Sequence, residues 1–528
     1  MTQTLGRQIG IARQHTIGDL LRRSARKVGD KTAIICGEVS WTYAELDALC
    51  NRLARGLMER GIGIGDRVAI VSRNSHAFAA MRFAIARAGA VLVPVNFMLN
   101  ADEIGFILRS SGARAVAFGP EFAAIAAEAM AKDTAVEWTL GLPGEALPAA
   151  PADVSFDALG TEDDSAVLLG LEGEMLAQIV YTSGTESAPK GAMLTHSSVM
   201  WQYVSCIVDG EMTSSDVMLH ALPMYHCAQL DVFVGPAIYL GMTSVITGQP
   251  SPDVILPLLE KHGISSFFCP PSVWISLLRS PLLETTDLSK LAKGYYGASI
   301  MPVEVLKEMQ ARLPQVRLWN FYGQTEIAPV ATVLPPEEQL SKPGSAGFPA
   351  LNVETRVVDD LMNDVAVGEV GEIVHRSPQL MTGYFNDPVK TAAAFEGGWF
   401  HSGDLGCVDK DGYIAVVDRK KDMINTGGEN VSSREVEEVI YLLPQVSEVA
   451  VIGLPHERWI EQVTAVIVLK SGHSAEVEHV MAHCREVLAH FKVPKRVEFI
   501  DTLPKNPSGK ILKRDLRIAF GSSGSAVS

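Results

Sequence analysis

Apolar and polar positions follow two alternating periods over the first two-thirds of the chain. The segment TYAELDALCNRLARGLMERG, residues 42–61, has the period of an amphipathic helix, with a threonine at its start and a glycine at its end. The short apolar segments DRVAIVS, residues 66–72, and GAVLVPVN, residues 89–96, read as strands on either side of another helix. The alternation recurs over residues 198–270. It predicts a layered α/β domain with much parallel sheet.

The pattern changes near Ser341. The segments VETRVVDD, GEIVHRS and GYIAVVDR read as strands with short turns and predict a small, barrel-like β subdomain over about residues 341–418. The charged run DRKKD follows, and then a helix capped by Ser432 or Ser433, in which Glu435 would complete a capping box. Two further strands complete a compact α+β unit. We therefore predict an N-terminal domain of residues 1–418 and a small C-terminal domain of residues 419–528, with a flexible tail over 521–528.

Length, charge and cysteine content narrow the class of protein. A chain of 528 residues is too long for one core, and its formal net charge of −16 argues against a nucleic-acid partner. The seven cysteines include no CxxC pair, which indicates reduced thiols in a cytoplasmic protein. The two most apolar runs contain Arg82 and Arg87 in one and Asp231 in the other, so we read them as buried elements and expect no transmembrane segment or signal peptide.

The stretch YTSGTESAPKG, residues 181–191, is rich in groups that bind phosphate. It offers small hydroxyl residues, a lysine, and glycines that let backbone amides approach an anion. Pro189 replaces the second glycine of a Walker loop and no hydroxyl follows Lys190, which disfavours a P-loop kinase or ATPase. A lone stretch of this kind is often a polar turn between a strand and a helix, but the many donor side chains argue against that interpretation here. Glu186 is the unexpected residue, because a carboxylate opposes bound phosphate.

Four further motifs follow this stretch in a fixed order: NFYGQTEIAP from Asn320, GWFHSGDLG from Gly398, DRKKDMINTGGENVSSREVE from Asp418 and PKNPSGKILKRDL from Pro504. With YTSGTESAPKGAMLTH, the early WTYAELD and the LPMYH segment, the series resembles the adenylate-forming superfamily, and within it most of all the acyl-CoA synthetases. Adenylation domains of peptide synthetases and luciferases belong to the same superfamily. The resemblance covers nearly the whole chain.

The resemblance implies a large N-terminal domain and a small, mobile C-terminal domain. It implies an acid–thiol ligase that converts a carboxylic acid and MgATP into acyl-AMP and pyrophosphate, and then transfers the acyl group to CoA. ATP, Mg²⁺ and CoA are therefore the expected substrates and metal, with no tightly bound organic cofactor. We expect the acid to be apolar, either fatty, aromatic or otherwise bulky. Many relatives are dimers, so the resemblance also admits a homodimer.

The resemblance assigns roles to the motif residues. Lys510 is the candidate catalytic lysine, Thr325 the α-phosphate contact, Glu326 the Mg²⁺ ligand, and His226 lies at the mouth of the acyl pocket. The expected nucleotide-binding residues are Thr182, Ser183, Gly184, Thr185, Lys190, Gly297, Ala298, Ser299, Tyr322, Asp404 and Arg419. Gly427, Gly428 and Glu429 are expected to serve the thioester step, and Lys420 or Lys421 the hinge. The expected acyl-pocket walls are Cys227, Gln229, Asp231, Ile300, Met301 and Ala328.

Three alternatives to this function remain open at the level of sequence. We favour an orientation in which Glu186 points away from the phosphates and pairs with a structural cation. If it opposes the triphosphate instead, it would weaken the ATP half-reaction and leave an enzyme specialised for thioester formation from a preformed acyl-adenylate. The chain could instead load a carrier protein as a stand-alone adenylation enzyme. It could also be a non-catalytic nucleotide-binding module, although the joint presence of Lys510, Thr325 and Glu326 argues against that.

Overall fold

The protein has a mixed α/β architecture, as the sequence predicts. It is known from a computed structural model that describes residues 2–182, 189–299, 301–420, 422–427, 429–505 and 511–521. Helices pack on three β-sheets, two of which belong to the N-terminal part of the chain and one to the C-terminal part.

The largest sheet orders thirteen strands among the described residues. Its first half is antiparallel and carries the predicted β subdomain, so that these strands continue the large sheet. Parallel pairing then runs from the strand at Arg317 to the strand at Thr32. The strand order is Glu354–Val358, Gly371–Arg376, Phe400–Val408, Ile414–Arg419, Ser345–Pro349, Val330–Leu334, Arg317–Gly323, Lys293–Gly297, Ser266–Phe268, Val217–His220, Thr243–Ile246, Thr32–Cys36 and Val39–Thr42.

The second sheet has eight strands within the described ranges and is parallel except at one edge. Its order is Gly383–Tyr384, Lys190–Thr195, Leu176–Thr182, Val91–Pro94, Arg67–Val71, Ala115–Phe118, Trp138–Gly141 and Val154–Ser155. The third sheet contains Glu429–Val431, Ile424–Thr426, Ile460–Leu469 and Val446–His456, and Arg496–Phe499 pairs in parallel with the third of these.

The helices cover the faces of these sheets. In the described part of the chain none of them combines the length and the apolar character of a membrane span. They are Thr2–Arg13, Ile17–Val28, Tyr43–Glu59, His76–Arg87, Ala101–Ser111, Ala123–Met130, Phe156–Leu159, His196–Asp209, Cys227–Gln229, Gly235–Leu240, Pro252–Lys261, Pro271–Arg279, Val303–Arg312, Pro388–Ala394, Ser433–Tyr441, Val477–Val487 and Lys513–Gly521, with a π-helical turn at Leu230–Val234.

Local sequence signals set the ends of several helices. Thr42 caps the helix Tyr43–Glu59, accepting a hydrogen bond from the Glu45 amide while Glu45 closes the capping box. Ser432 caps Ser433–Tyr441 in the same way. The expected capping box at Glu435 is wrong, because the carboxylate of Glu435 instead accepts hydrogen bonds from the Lys492 ammonium at 2.6 and 2.7 Å.

The helix His76–Arg87 is buried along its whole length. Its Arg82 lies in the interior and donates a hydrogen bond of 3.0 Å to the carboxylate of Asp231. The same carboxylate accepts hydrogen bonds from Gln178 at 2.6 Å and from the Tyr203 hydroxyl at 3.3 Å. A buried carboxylate needs such partners, because an unpaired charge in the interior costs several kcal/mol.

The C-terminal part of the chain has its own apolar core on both faces of the third sheet. Its first helix docks on the strand Ile414–Arg419. The Ser432 hydroxyl donates to the carbonyl of Val417 at 2.8 Å, and the buried guanidinium of Arg434 donates to the carbonyls of Val416 and Gly344. These contacts fix how the C-terminal part sits on the large sheet in this structure.

The buried ion pair yields a test of stability. Asp231→Ala is expected to lower the free energy of unfolding by about 3–5 kcal/mol, because it leaves the Arg82 guanidinium in the interior without a counter-charge. The double substitution Arg82→Met with Asp231→Leu removes both charges and should cost less than the single one. Urea denaturation followed by tryptophan fluorescence measures both, with Asp30→Ala at an exposed position as the control. Equal losses for the single and double variants would contradict the explanation.

Candidate active site

A cavity of about 1130 Å³ lies between the two large sheets and the C-terminal part of the chain. Its wall brings together residues that are far apart in sequence. The predicted site residues on this wall are Thr182, Lys190, His226, Gly297, Ala298, Ser299, Tyr322, Thr325, Glu326, Asp404, Arg419 and Lys420.

Strand ends explain this convergence. The neighbouring parallel strands Lys293–Gly297 and Arg317–Gly323 both end at the cavity, with Gly297 opposite Phe321. Ligands of open α/β sheets bind at such carboxyl edges. A Cβ at Gly297 would lie 2.4 Å from the Phe321 carbonyl oxygen, so only glycine allows the two strands to run this closely there. Ala298 turns the chain away from the edge with a φ of +64°.

Tyr322 and Asp404 form one corner of the cavity. The Tyr322 hydroxyl donates a hydrogen bond of 2.8 Å to Oδ2 of Asp404. Burial, together with the charge of Asp404, raises the pKa of the Tyr322 phenol, which keeps it a donor. Arg419 pairs with Asp404 across adjacent antiparallel strands, and its Nε lies 3.2 Å from Oδ1.

Oδ1 of Asp404 has no hydrogen-bond donor of good geometry among the described residues, although Asp404 is only 4% exposed. Buried carboxylate oxygens usually have such a donor. An acceptor of this kind at a cavity wall, beside an aromatic ring, is suited to the hydroxyl of a sugar.

A second group surrounds Glu326. Thr325 and Glu326 lie in a single helical turn, Thr325–Ile327, that follows the strand Arg317–Gly323. Oε1 of Glu326 accepts a hydrogen bond of 2.9 Å from the hydroxyl of Tyr384. The ammonium of Lys190 lies 4.8 Å from the centre of the Tyr384 ring. Burial raises the pKa of the Tyr384 phenol, so this hydroxyl also stays protonated.

Glu326 fits the expected role of a magnesium ligand. Mg²⁺ in nucleotide sites is held by one or two carboxylates together with phosphate oxygens and waters. Within the described residues no cluster of three metal-ligating side chains exists. The hydrogen bond from Tyr384 engages Oε1 of Glu326.

His226 lines the cavity. It is half-buried, and its Nδ1 accepts a hydrogen bond of 3.1 Å from the amide of Ala228. The wall beyond it is apolar and includes Val232, Phe233 and Phe268. The rings of Phe233 and Phe268 stack with centroids 4.4 Å apart.

Five residues expected in the acyl-pocket wall are not among the residues that line the cavity. Cys227 is buried with Sγ 3.4 Å from the Thr325 hydroxyl oxygen, and burial raises the pKa of its thiol to about 12. Gln229 bonds to the amide of Leu222, and Asp231 to Arg82. Met301 and Ala328 are 2% and 0% exposed within the apolar core. None of these five side chains belongs to the described cavity lining, and their place in the acyl pocket stays a prediction.

The residues of the C-terminal part that line the cavity are not the ones expected to serve the thioester step. Lys505 and Ile511 line the cavity. Gly427 instead packs on Trp459, whose carbonyl accepts a hydrogen bond of 2.6 Å from its amide, and Glu429 lies on the adjoining exposed strand. The other predicted residues fall outside the described ranges, namely Ser183, Gly184, Thr185, Glu186, Ile300, Lys421, Gly428 and Lys510.

The sequence analysis assigned no role to many polar residues on the cavity wall, among them Tyr384, Asn320 and Gln324. Tyr384 follows a glycine in TGYFNDP, a short aromatic segment that no motif singled out. Asn320 and Gln324 stand inside NFYGQTEIAP but received no role. Nε2 of Gln324 is buried and lacks a hydrogen-bond partner in the described part of the chain, whereas Nδ2 of Asn320 donates to the Ser345 carbonyl at 3.2 Å.

Comparison with known proteins identifies two family models that match this chain and several similar enzymes. Residues 21–385 match the family described as AMP-binding enzyme, and residues 435–510 match the AMP-binding enzyme C-terminal domain. The chain is 37% identical over 510 residues to a feruloyl-CoA synthase of an Amycolatopsis species, covering 96% of this chain and 100% of that protein. It is 34% identical over 506 residues to an indoleacetate–CoA ligase of Aromatoleum aromaticum, covering 95% and 97% respectively.

Solved structures share the fold. An anthranilate CoA ligase in complex with anthranoyl-AMP superposes with a TM-score of 0.90 at 24% identity, covering 97% of this chain and 98% of that one. ATP-bound MatB from Rhodopseudomonas palustris gives a TM-score of 0.87 at 31% identity, covering 96% and 99%. The resemblance drawn from the five motifs is confirmed, and the chain belongs to the AMP-binding enzyme family, the adenylate-forming enzymes.

Proposed function

We propose that this protein is an AMP-forming acid–thiol ligase that activates an apolar carboxylic acid with MgATP and transfers the acyl group to CoA. The observation that carries the proposal is the single cavity in which Tyr322, Asp404, Glu326 and Lys190 face one end and uncharged apolar side chains form the other. Its relatives are named as CoA ligases of ferulic and indoleacetic acid, which agrees with that division.

The polar end is suited to the first half-reaction. Adenine would lie against Tyr322, and Oδ1 of Asp404 would accept hydrogen bonds from the ribose. An oxygen of the acid attacks the α-phosphorus, the bond to the bridging oxygen breaks, and pyrophosphate leaves with the electron pair. Lys190 and the hydroxyl of Thr182 offset the charge that grows on the leaving group. A magnesium ion held by Glu326 would neutralise further phosphate charge. We assign the cation beside the reacting carboxylate to Lys510.

The apolar end points to an acid without a second charge. Between Ala228 and Pro302, the described lining contributes no charged side chain. An amino-acid substrate would need a carboxylate near His226 to pair with its ammonium. The first carboxylate after His226 in the sequence is Asp231, and it is fully buried against Arg82. The stacked pair Phe233 and Phe268 favours a flat or extended apolar group. A fatty or aromatic acid therefore fits this end better than an amino acid.

The second half-reaction requires a different face of the C-terminal domain. The thiol attacks the acyl carbon and AMP leaves, so the CoA arm must reach the cavity near His226. In this structure Gly427 and Glu429 lie away from the cavity, whereas the chain on both sides of residues 506–510 lines it. We propose that residues 419–528 rotate about Lys420 or Lys421 between the two steps. The free thiols at all seven cysteines agree with a cytoplasmic location.

ATP–pyrophosphate exchange with a panel of acids tests the first half-reaction, and CoA-dependent release of AMP tests the second. Exchange is expected with apolar fatty or aromatic acids and not with amino acids. Thioester should form with CoA and not with a carrier protein. Absence of exchange, together with no thermal stabilisation by any acyl-sulfamoyl adenosine, would overturn the proposed function.

Two variants separate the half-reactions. Lys510→Ala should lose exchange by orders of magnitude yet still convert preformed acyl-adenylate and CoA to thioester. Thioester formation without exchange in the native protein would instead indicate an enzyme specialised for the second step. A gain of exchange in Glu186→Thr would then identify Glu186 as the cause.

Asp404→Asn tests the ribose contact. The KM for ATP in the exchange reaction should rise about 10- to 100-fold, because a hydrogen bond to a charged group contributes about 1.5–3 kcal/mol. The KM for the acid should stay unchanged. Asp253→Asn, at an exposed helical position, is the control. A fall in kcat without any change in the KM for ATP would argue against this role.

Ile275 tests the acyl pocket, because it lies on the apolar wall and is 7% exposed. Ile275→Trp should shorten the pocket and lower kcat/KM for long acids about 10- to 200-fold relative to short ones. Ile275→Ala should shift the preference toward longer acids. The measurement is kcat/KM over a homologous series of acids. A uniform loss for every acid in both variants would remove Ile275 from the pocket.

A further inference from the structure

The short segment that contains Tyr384 joins two parts of the polar end of the cavity. Gly383–Tyr384 pairs with the strand Lys190–Thr195, and the amide of Phe385 donates to the carbonyl of Gly191 at 2.7 Å. On the other side, the amide of Met381 donates to the carbonyl of Glu326 at 2.8 Å. The backbone on the two sides of Tyr384 is therefore hydrogen-bonded to Gly191, which follows Lys190, and to Glu326.

The side chain of Tyr384 repeats this connection. Its hydroxyl donates to Oε1 of Glu326 at 2.9 Å, and its ring faces the Lys190 ammonium at 4.8 Å. The ring is 7% exposed and packs in the main apolar core. Its position is fixed further by Thr391, whose hydroxyl accepts a hydrogen bond of 2.9 Å from the amide of Tyr384.

Close packing leaves little freedom in this segment. Gly383 has a φ of +147°, and a Cβ there would lie 2.8 Å from the Thr391 methyl group. A buried ring on a restrained backbone can hold other side chains in place, whereas a mobile surface tyrosine cannot.

We infer that Tyr384 is a positioning residue that holds Glu326 and Lys190 together at the site of the pyrophosphate leaving group. The inference rests on the proposed function and adds a residue to it. The hydroxyl orients the Glu326 carboxylate so that Oε2 faces the metal of MgATP, and the ring restrains the ammonium of Lys190. Hydrogen bonds to a ligating carboxylate commonly change metal affinity 10- to 100-fold when they are removed.

Two substitutions separate the roles of the hydroxyl and the ring. Tyr384→Phe removes only the hydroxyl, so the concentration of Mg²⁺ that half-saturates exchange should rise about 10- to 100-fold while the KM for the acid stays constant. Tyr384→Leu also removes the ring, so the affinity for ATP measured without divalent metal should fall a further 2- to 30-fold, roughly what a cation–π contact is worth.

A binding measurement removes the dependence on turnover. Electron paramagnetic resonance of Mn²⁺ with a non-hydrolysable ATP analogue should show metal bound about 10- to 100-fold more weakly by Tyr384→Phe than by the native protein. Tyr413→Phe is the matched control, since Tyr413 also has a lysine, Lys342, 4.9 Å from its ring but lies outside the described cavity lining. Circular dichroism and thermal melting establish that each variant is folded.

A double-mutant cycle tests whether Tyr384 acts through Glu326. In a Glu326→Gln background, Tyr384→Phe should produce no further loss of Mn²⁺ affinity, because the two substitutions affect one interaction. Equal Mn²⁺ affinity of Tyr384→Phe and native protein, or additive losses in the cycle, would overturn the inference. If the native protein neither exchanges pyrophosphate nor is stabilised by any acyl-sulfamoyl adenosine, the proposed function is overturned, and the Mn²⁺ measurement still decides the role of Tyr384.

Discussion

The backbone at Gly347 is the constraint on which the cavity depends. The strand Ser345–Pro349 pairs with Val330–Leu334 on one side and with Ile414–Arg419 on the other, and so joins the parallel part of the large sheet to the strand that follows Asp404. Gly347 has a φ of +102°, and a Cβ there would lie 2.1 Å from the carbonyl group of Val333. Only glycine permits this approach, and the strand that contains it lies in the sheet between the strand of Tyr322 and the strand of Asp404.

The sequence predicted well those features that depend on short-range signals or on ordered motifs. The helix Tyr43–Glu59 begins at its capping box, and the motif residues from Thr182 to Arg419 meet because most of them stand at strand ends. Side-chain direction after His226 could not be predicted. The chain there passes from a short α-helical turn into the π-helical turn Leu230–Val234, whose different period points Asp231 into the core while Val232 and Phe233 face the cavity.

Tyr384 shows a second limit of sequence reasoning. It lies on a strand of two residues, and its partners Lys190 and Glu326 are distant in the chain. Neither helical nor strand periodicity marks so short an element, so its role follows only from tertiary pairing. The same reason applies to Gln324, which lies within a recognised motif but whose buried amide nitrogen becomes notable only once its surroundings are known.

For the function proposed above, the partition of charge across the cavity would let one site bind both a polyanion and an apolar acid. Lys190, Arg419 and Lys420 lie at the nucleotide end, where phosphate charge must be offset. The carboxylate of Asp231 is kept out of the acyl end by Arg82, Gln178 and Tyr203, so the charge is neutralised in the interior and the wall formed by Phe233 and Phe268 stays apolar. The buried ion pair thus does more than link the helix His76–Arg87 to the turn after His226. It also removes the group that would otherwise attract an ammonium, and in this way it shapes which acids the cavity can accept.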